Sequence, residues 1–282
     1  MGLSGRVDVS GGCRLAGMCA AFSIAAASAT LAQDRQTVAA CRFEIFSSGQ
    51  VASVLDGRSF VLEDGREVRL AAIEVPPVPK PGETGPGAAA GSAAKAALES
   101  LLASRTVELR GQAPAFDRYG RTLAHVEVAG PALAAAHHML ALGYARVAAQ
   151  VGHAPCAAEL LSRERVARTA KLGLWGDPYY VVMEAGNGAG LLAERGRFTV
   201  VEGKVLSVRE SGGTIYLNFG RRWSHALTVT ISKRHERIFS GAGLWPKRLE
   251  NRVVRVRGWI DERNGPRIEA TYPEQLEIAE LN

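Results

Sequence analysis

Three separated runs of this chain hold residue types suited to one task. They are Val54-Leu55-Asp56-Gly57-Arg58-Ser59-Phe60, then Glu67-Val68-Arg69-Leu70-Ala71-Ala72-Ile73-Glu74-Val75-Pro76, and later Asp117-Arg118-Tyr119-Gly120-Arg121. A guanidinium presents a planar fork of donors that matches two phosphate oxygens. A carboxylate can hold a cation or move a proton. Arg69 and Arg121, each beside strand-forming residues, with Asp56 and Glu74 at one sheet end, are the groups a phosphodiester site uses. The alternative is a surface ion network in which the two arginines pair with Asp56, Glu74 or Asp117.

The elements that must position these groups are legible around them. From Gly49 to Ile73, short β-rich runs alternate with Asp56-Gly57 and Asp64-Gly65, turn chemistry that suits hairpins and predicts a three-stranded meander. Pro76 to Gly87 holds too much proline and glycine for regular structure and reads as a long loop beside the site. A helix is expected over Ala88 to Ser104, with Leu98, Leu101 and Leu102 on one face. Strands follow at Thr106 to Leu109 and Leu123 to Val128, then helices near 132–144 and 156–171. The order βββ-α-ββ-α-α predicts a five-stranded barrel of the oligonucleotide-binding (OB) type with three helices added.

In this order and spacing the motifs resemble the staphylococcal-nuclease-like, or thermonuclease, family over about residues 47–175, ending in Gly173-Leu174-Trp175. The resemblance implies a barrel that hydrolyses DNA and RNA with a calcium ion, and it makes Arg69 and Arg121 the phosphate clamps. Two departures stand out. The family's Asp-Gly-Asp-Thr is Asp56-Gly57-Arg58-Ser59 here, so one calcium-binding acid is Arg58. The family's Asp-Thr-Pro-Glu is Glu74-Val75-Pro76-Pro77, so Glu74 is a longer version of the other metal-binding acid and Pro77 stands where the general base would be. Calcium takes six to eight oxygen ligands, so a single carboxylate beside an arginine makes a weak site.

Three readings follow. The first is a nucleic-acid or phosphodiester binder with a degenerate catalytic site, in which Arg58, Arg69 and Arg121 receive phosphate and no cofactor is expected. The second is an active nuclease that uses Glu74, Arg69 and Arg121 with Asp56 or Glu83 as a substitute acid, plus calcium or another divalent cation. The third is an envelope interaction module that keeps the barrel as scaffold. No zinc site is expected, since His137 and His138 are adjacent on a helix and point to different faces.

Residues 1–32 read as a signal peptide. Arg6 and Arg14 precede an apolar run from Met18 to Ala27, with cleavage after Ala29 or Ala32. The mature protein is then secreted or periplasmic, with no membrane anchor left. Cys13 and Cys19 fall in the signal, leaving Cys41 and Cys156 as either a disulfide or two buried thiols.

The first domain is expected over 33–180 and a flexible linker over 181–196, around Gly186-Asn187-Gly188-Ala189-Gly190. A second OB-like barrel follows over 197–282. Gly49-Gln50-Val51-Ala52-Ser53-Val54 recurs faintly as Gly203-Lys204-Val205-Leu206-Ser207-Val208. Residues 197–282 carry 15 Lys/Arg against 10 Asp/Glu, whereas residues 1–196 carry 19 against 18, so the basic surplus points the last third toward a polyanion. Candidate binding residues there are Tyr216, Arg221, Arg222 and Trp223, with Arg255 and Arg257 forming a basic stripe on one strand face. Phe219 and Trp259 are expected in the core.

Overall fold

The computed structural model describes residues 1, 2, 41, 43–84, 87–131 and 133–279. The expected signal segment, with Arg6, Arg14, Cys13 and Cys19, lies outside the described residues. The described residues from Cys41 to Ala279 form a compact unit. No helix among the described residues is long and apolar enough to cross a membrane.

In the first half, β1 (Ile45–Val54), β2 (Ser59–Leu62) and β3 (Glu67–Leu70) form the meander, and β4 (Ile73–Glu74) continues it. The helix α1 (Ala88–Leu102) buries Gly91, Ala94, Leu98, Leu101 and Leu102, one stripe at helical spacing. Then come β5 (Thr106–Phe116), β6 (Thr122–Val128), β7 (Leu133–Ala134), α2 (Ala135–Ala141), β8 (Arg146–Val147) and α3 (Ala154–Thr169). The sheet runs β3-β2-β1-β5-β6, and the parallel pair β3–β6 closes it into the expected five-stranded barrel. Along β6 strict alternation sends Thr122, Ala124, Val126 and Val128 inward, as a small barrel requires. Strand β5 pairs with β1 as far as Arg110 and runs on to Phe116 because Ala115 and Phe116 resume its pairing with β6.

The segment expected as a linker is built into the fold. Strand β9 (Met183–Glu184) pairs in parallel with β10 (Phe198–Lys204), and α4 (Gly188–Ala193) buries Leu191 completely. Glycine richness there serves close packing as well as freedom: a Cβ on Gly188 would lie 2.5 Å from the His225 carbonyl carbon.

The last third is two sheets around one core. Strands β11 (Ser207–Ser211), β12 (Thr214–Asn218) and β13 (Thr228–Ser232) are followed by α5 (Glu236–Gly241), β14 (Val253–Trp259), β15 (Asp261–Glu262), β16 (Pro266–Glu269) and β17 (Leu276–Ile278). One sheet is β17-β14-β10-β9 and the other is β11-β12-β13-β16-β15. The hydrogen-bonded ladder breaks between Lys204 and Ser207 and between Glu269 and Leu276. Some pairings are of the same kind as in the first half, including a parallel pair, β13–β16 as β3–β6, but among the described residues the strands form two separate sheets and not one closed barrel. The faint sequence repeat falls on corresponding positions: Gly49 faces Val107 across the β1–β5 pair and Gly203 faces Val254 across β10–β14.

Arg255 and Arg257 do share a face of β14, but α3 covers that face. Arg257 is fully buried and donates to Glu164, also fully buried, at 2.7 and 3.1 Å, and it further pairs with Glu277. Arg255 pairs with Glu202 and Glu277. The expected basic stripe is therefore an internal ion network joining the halves, and neither arginine is offered to a ligand. Burial alone would raise the Glu164 carboxyl, but Arg257, Arg168 and the Val147 N–H outweigh it and hold it below its ordinary value. Cys41 and Cys156 are joined as a disulfide.

Candidate phosphate-binding cleft

Strand ends set the candidate site. The Asp56 carboxylate accepts the Arg58 backbone N–H at 2.7 Å, a side-chain-made turn that launches Arg58 toward β4. There the Arg58 guanidinium lies 2.6 Å from a Glu74 carboxylate oxygen and donates to the Ile73 carbonyl at 2.8 Å. Glu74 in turn sits opposite Arg146 across the β4–β8 pair. Arg69, on β3, lines the same space, and its side chain has no hydrogen-bond or ion-pair partner among the described residues.

These groups share one cleft of about 380 Å³, within the range of small-ligand sites, roughly 300–1,000 Å³. Asp56, Arg58, Arg69, Glu74 and Arg146 form its charged side, while Pro76, Pro77 and Tyr180 come from the loops. The loop is held close because α1 has a glycine facing it: a Cβ on Gly91 would lie 1.9 Å from the Pro77 carbonyl oxygen. The opposite wall comes from the second half: Arg197, Phe198 and Trp259. Trp259, expected in the core, is 53% exposed, because it ends β14 directly across from Phe198 and stacks edge-on against that ring at the cleft rim.

Residues 67–177 match the model of the family described as staphylococcal nuclease homologue. No curated protein matches the chain. The match begins at Glu67, so the turn with Asp56 and Arg58 lies before it, while Glu74 and Pro77 lie within it.

The first barrel brings some expected residues together and separates others. Arg58, Arg69, Glu74 and Asp56 converge. Arg121 does not line the cleft: its guanidinium is bound by Asp117 at 2.6 Å, approaches Glu67 at 3.6 Å and stacks beside Tyr119. Burial works against ionisation of Asp117, but the Arg121 guanidinium and the N–H groups of Tyr119 and Arg121 hold its carboxyl below the ordinary range. Glu83 accepts the Lys80 N–H within its own loop and does not line the cleft either. The donor set does not suit calcium. A divalent cation needs several free oxygens, whereas the one metal-type acid, Glu74, already faces a guanidinium, and Asp56 is engaged by the Arg58 N–H.

Sequence reasoning missed Arg146, Arg197, Phe198 and Tyr180. Arg146 is buried, donates to the carbonyls of Phe198 and Tyr180, and is pushed down to about 10 by burial, partly offset by Glu164. Its position opposite Glu74 depends on a two-residue pairing that no local pattern announces.

One group of metal-ligand types lies elsewhere, Cys41, His137 and Glu159. The Cys41 sulfur is bonded to Cys156 and offers no thiolate. Tyr216, Arg221 and Trp223 line a separate groove on the second half, with Arg222 exposed beside them.

Proposed function

We propose that this is an exported protein that binds nucleic acid or another phosphodiester polyanion through a degenerate nuclease site. The observation that carries the reading is the pairing of Arg58 with Glu74 beside an unpartnered Arg69. In the family pattern two acids would hold a cation that attracts phosphate. Here the Arg58 guanidinium is a built-in cation neutralising Glu74, which leaves Arg69 to receive phosphate oxygens bidentately. Pro77 supplies no proton acceptor in place of the general base, a loss that typically costs ~10²- to 10⁴-fold in rate. Phosphate is then held without a metal and without cleavage, and the Trp259 and Phe198 rings at the rim supply apolar faces for a base or sugar. Export is supported by the Cys41–Cys156 disulfide, a bond that persists in oxidising compartments.

An active enzyme is the second reading, favoured by one observation: Asp56 lines the same cleft as Glu74. The two separate in one experiment. Purified mature protein is incubated with a quenched single-stranded DNA or RNA oligonucleotide in calcium, magnesium, manganese or chelator, and binding of the same oligonucleotide is followed over a salt series. Salt-sensitive binding that persists in chelator and weakens about tenfold or more in Arg69→Ala, with no cleavage, is the expected result. Metal-dependent cleavage lost in Glu74→Ala would establish the enzyme instead.

A further inference from the structure

The outer face of the sheet β11-β12-β13-β16 lines a groove of about 1540 Å³ that shares no lining residue with the cleft around Arg58 and Glu74. Its floor is a lattice of polar side chains set by strand register. One row across the strands is Ser211, Thr214 and Ser232. The next is Arg209, Tyr216, Thr230 and Glu269. The third is Ser207, Asn218, Thr228 and Arg267. The alternate residues Val208, Leu217, Val229 and Ile268 face the other way, into the second core or against it. Two floor atoms, Asn218 Oδ1 and Thr228 Oγ1, are buried without a hydrogen-bond partner among the described residues, although Asn218 is only 2% exposed. The hydroxyls and the Tyr216 ring that line the groove give its floor donors, acceptors and a flat face.

The rim is cationic and aromatic. Five arginines line the groove, Arg209, Arg221, Arg234, Arg263 and Arg267, against two glutamates. Of the five, Arg267 is paired with Asp261; the other four have no side-chain partner among the described residues. Glu210 is already neutralised by Lys233 at 2.7 Å. Trp223 is 56% exposed at the groove edge, yet its backbone is fixed: Gly265 has φ 136°, and a Cβ there would lie 2.0 Å from the Trp223 carbonyl oxygen. An exposed tryptophan on a pinned loop, beside unpaired guanidiniums and above hydroxyls, has the parts of a platform on which bases stack while phosphates are neutralised.

We propose that this groove is a second binding site, for single-stranded nucleic acid, with Trp223 and Tyr216 stacking bases and Arg209, Arg221, Arg234 and Arg263 holding phosphates. A strand whose bases are unstacked offers aromatic ring faces to an aromatic platform, whereas an acidic polysaccharide offers charge and saturated rings with no π-face, and a duplex keeps its ring faces covered. The site is independent of the cleft reading.

The test is fluorescence anisotropy of a labelled oligothymidylate with the full mature chain, over a salt series, for four forms: unchanged, Trp223→Ala, the double variant Arg209→Ala/Arg221→Ala, and Arg69→Ala. Trp223→Ala is expected to weaken binding about tenfold, with Trp223→Phe recovering most of it. The double arginine variant is expected to flatten the slope of log affinity against log salt by about 1.4, roughly 0.7 for each single-strand phosphate that is no longer neutralised. Both act on exposed side chains, so unchanged thermal unfolding serves as the fold control. Arg69→Ala is expected to leave the Trp223 effect intact. If the groove variants bind like the unchanged protein, if Arg69→Ala alone abolishes binding, or if a size-matched acidic polysaccharide binds equally well and loses as much on Trp223→Ala, the proposal is overturned. If Arg69→Ala has no effect while Trp223→Ala does, the cleft reading fails and the groove stands.

Discussion

The guanidinium of Arg58 lies 2.6 Å from the carboxylate of Glu74, on the turn and strand that the nuclease pattern would use to hold a cation. A positive side chain in that place both satisfies the acid and repels a divalent ion. Changing Arg58→Asp returns a second carboxylate and frees Glu74. The expected outcome is that millimolar calcium raises the thermal midpoint of Arg58→Asp by several degrees while leaving the unchanged protein where it was. The stabilisation follows the ratio of free ion to dissociation constant, ~2.7 kcal/mol at a hundredfold excess. Differential scanning fluorimetry with calcium and with chelator measures it; an equal shift in the unchanged protein would show that the paired site still takes metal.

Arg257 and Glu164 join the two halves where no solvent reaches them. Breaking a buried pair leaves an uncompensated charge, so Arg257→Ala is expected to cost about 3–5 kcal/mol. A combined Arg257→Met and Glu164→Leu change should recover part of that loss, because apolar residues of similar volume need no desolvated charge. Urea midpoints of the three proteins decide the matter, and equal midpoints for Arg257→Ala and the unchanged form would contradict it.

His125 stacks on Phe43 at 4.3 Å and is pushed down to about 4, by burial first and then by the nearby His137 and His153. A folded value below the ordinary 6.5 means that the unfolded chain binds the proton first. Stability from this residue is complete above about pH 6.5 and is lost as pH falls toward 4, roughly 3 kcal/mol across the window. Glu164 acts in a lower window: its stabilisation is present above its ordinary value of 4.5 and fades as pH falls through its depressed folded value. Denaturant midpoints between pH 7 and 4.5 should therefore fall in the unchanged protein and fall less in His125→Phe.

The disulfide closes a loop of 115 residues between the segment before β1 and the start of α3. In the chain-entropy model such a link contributes about 5 kcal/mol, so reduction should lower the unfolding midpoint clearly, and Cys41→Ser/Cys156→Ser should match the reduced protein. Midpoints with and without reductant provide the check.

The first barrel is legible because its signals are local. Asp-Gly turns, alternation along β6 and the leucine stripe of α1 each need only a few neighbours, and the order of elements then leaves few ways to close a sheet. Arg58 standing where the pattern has an acid, the candidate cysteine pair and the basic last third are equally plain in the residues themselves. The linker reading fails because glycine signals freedom and close approach alike, and only the partner decides which; at Gly188 the partner is the backbone of His225. Alternation correctly puts Arg255 and Arg257 on one face of β14, but whether that face meets water depends on α3, some 90 residues earlier in the chain. Likewise Arg69 and Arg121 look equivalent in sequence, yet Arg121 is bound by Asp117 while Arg69 faces the cleft without a partner among the described residues. Periodicity and turn chemistry, which the sequence carries, fix which way a side chain points; only the tertiary structure decides what it meets there, because burial and charge pairing are set by contacts between segments far apart in the chain.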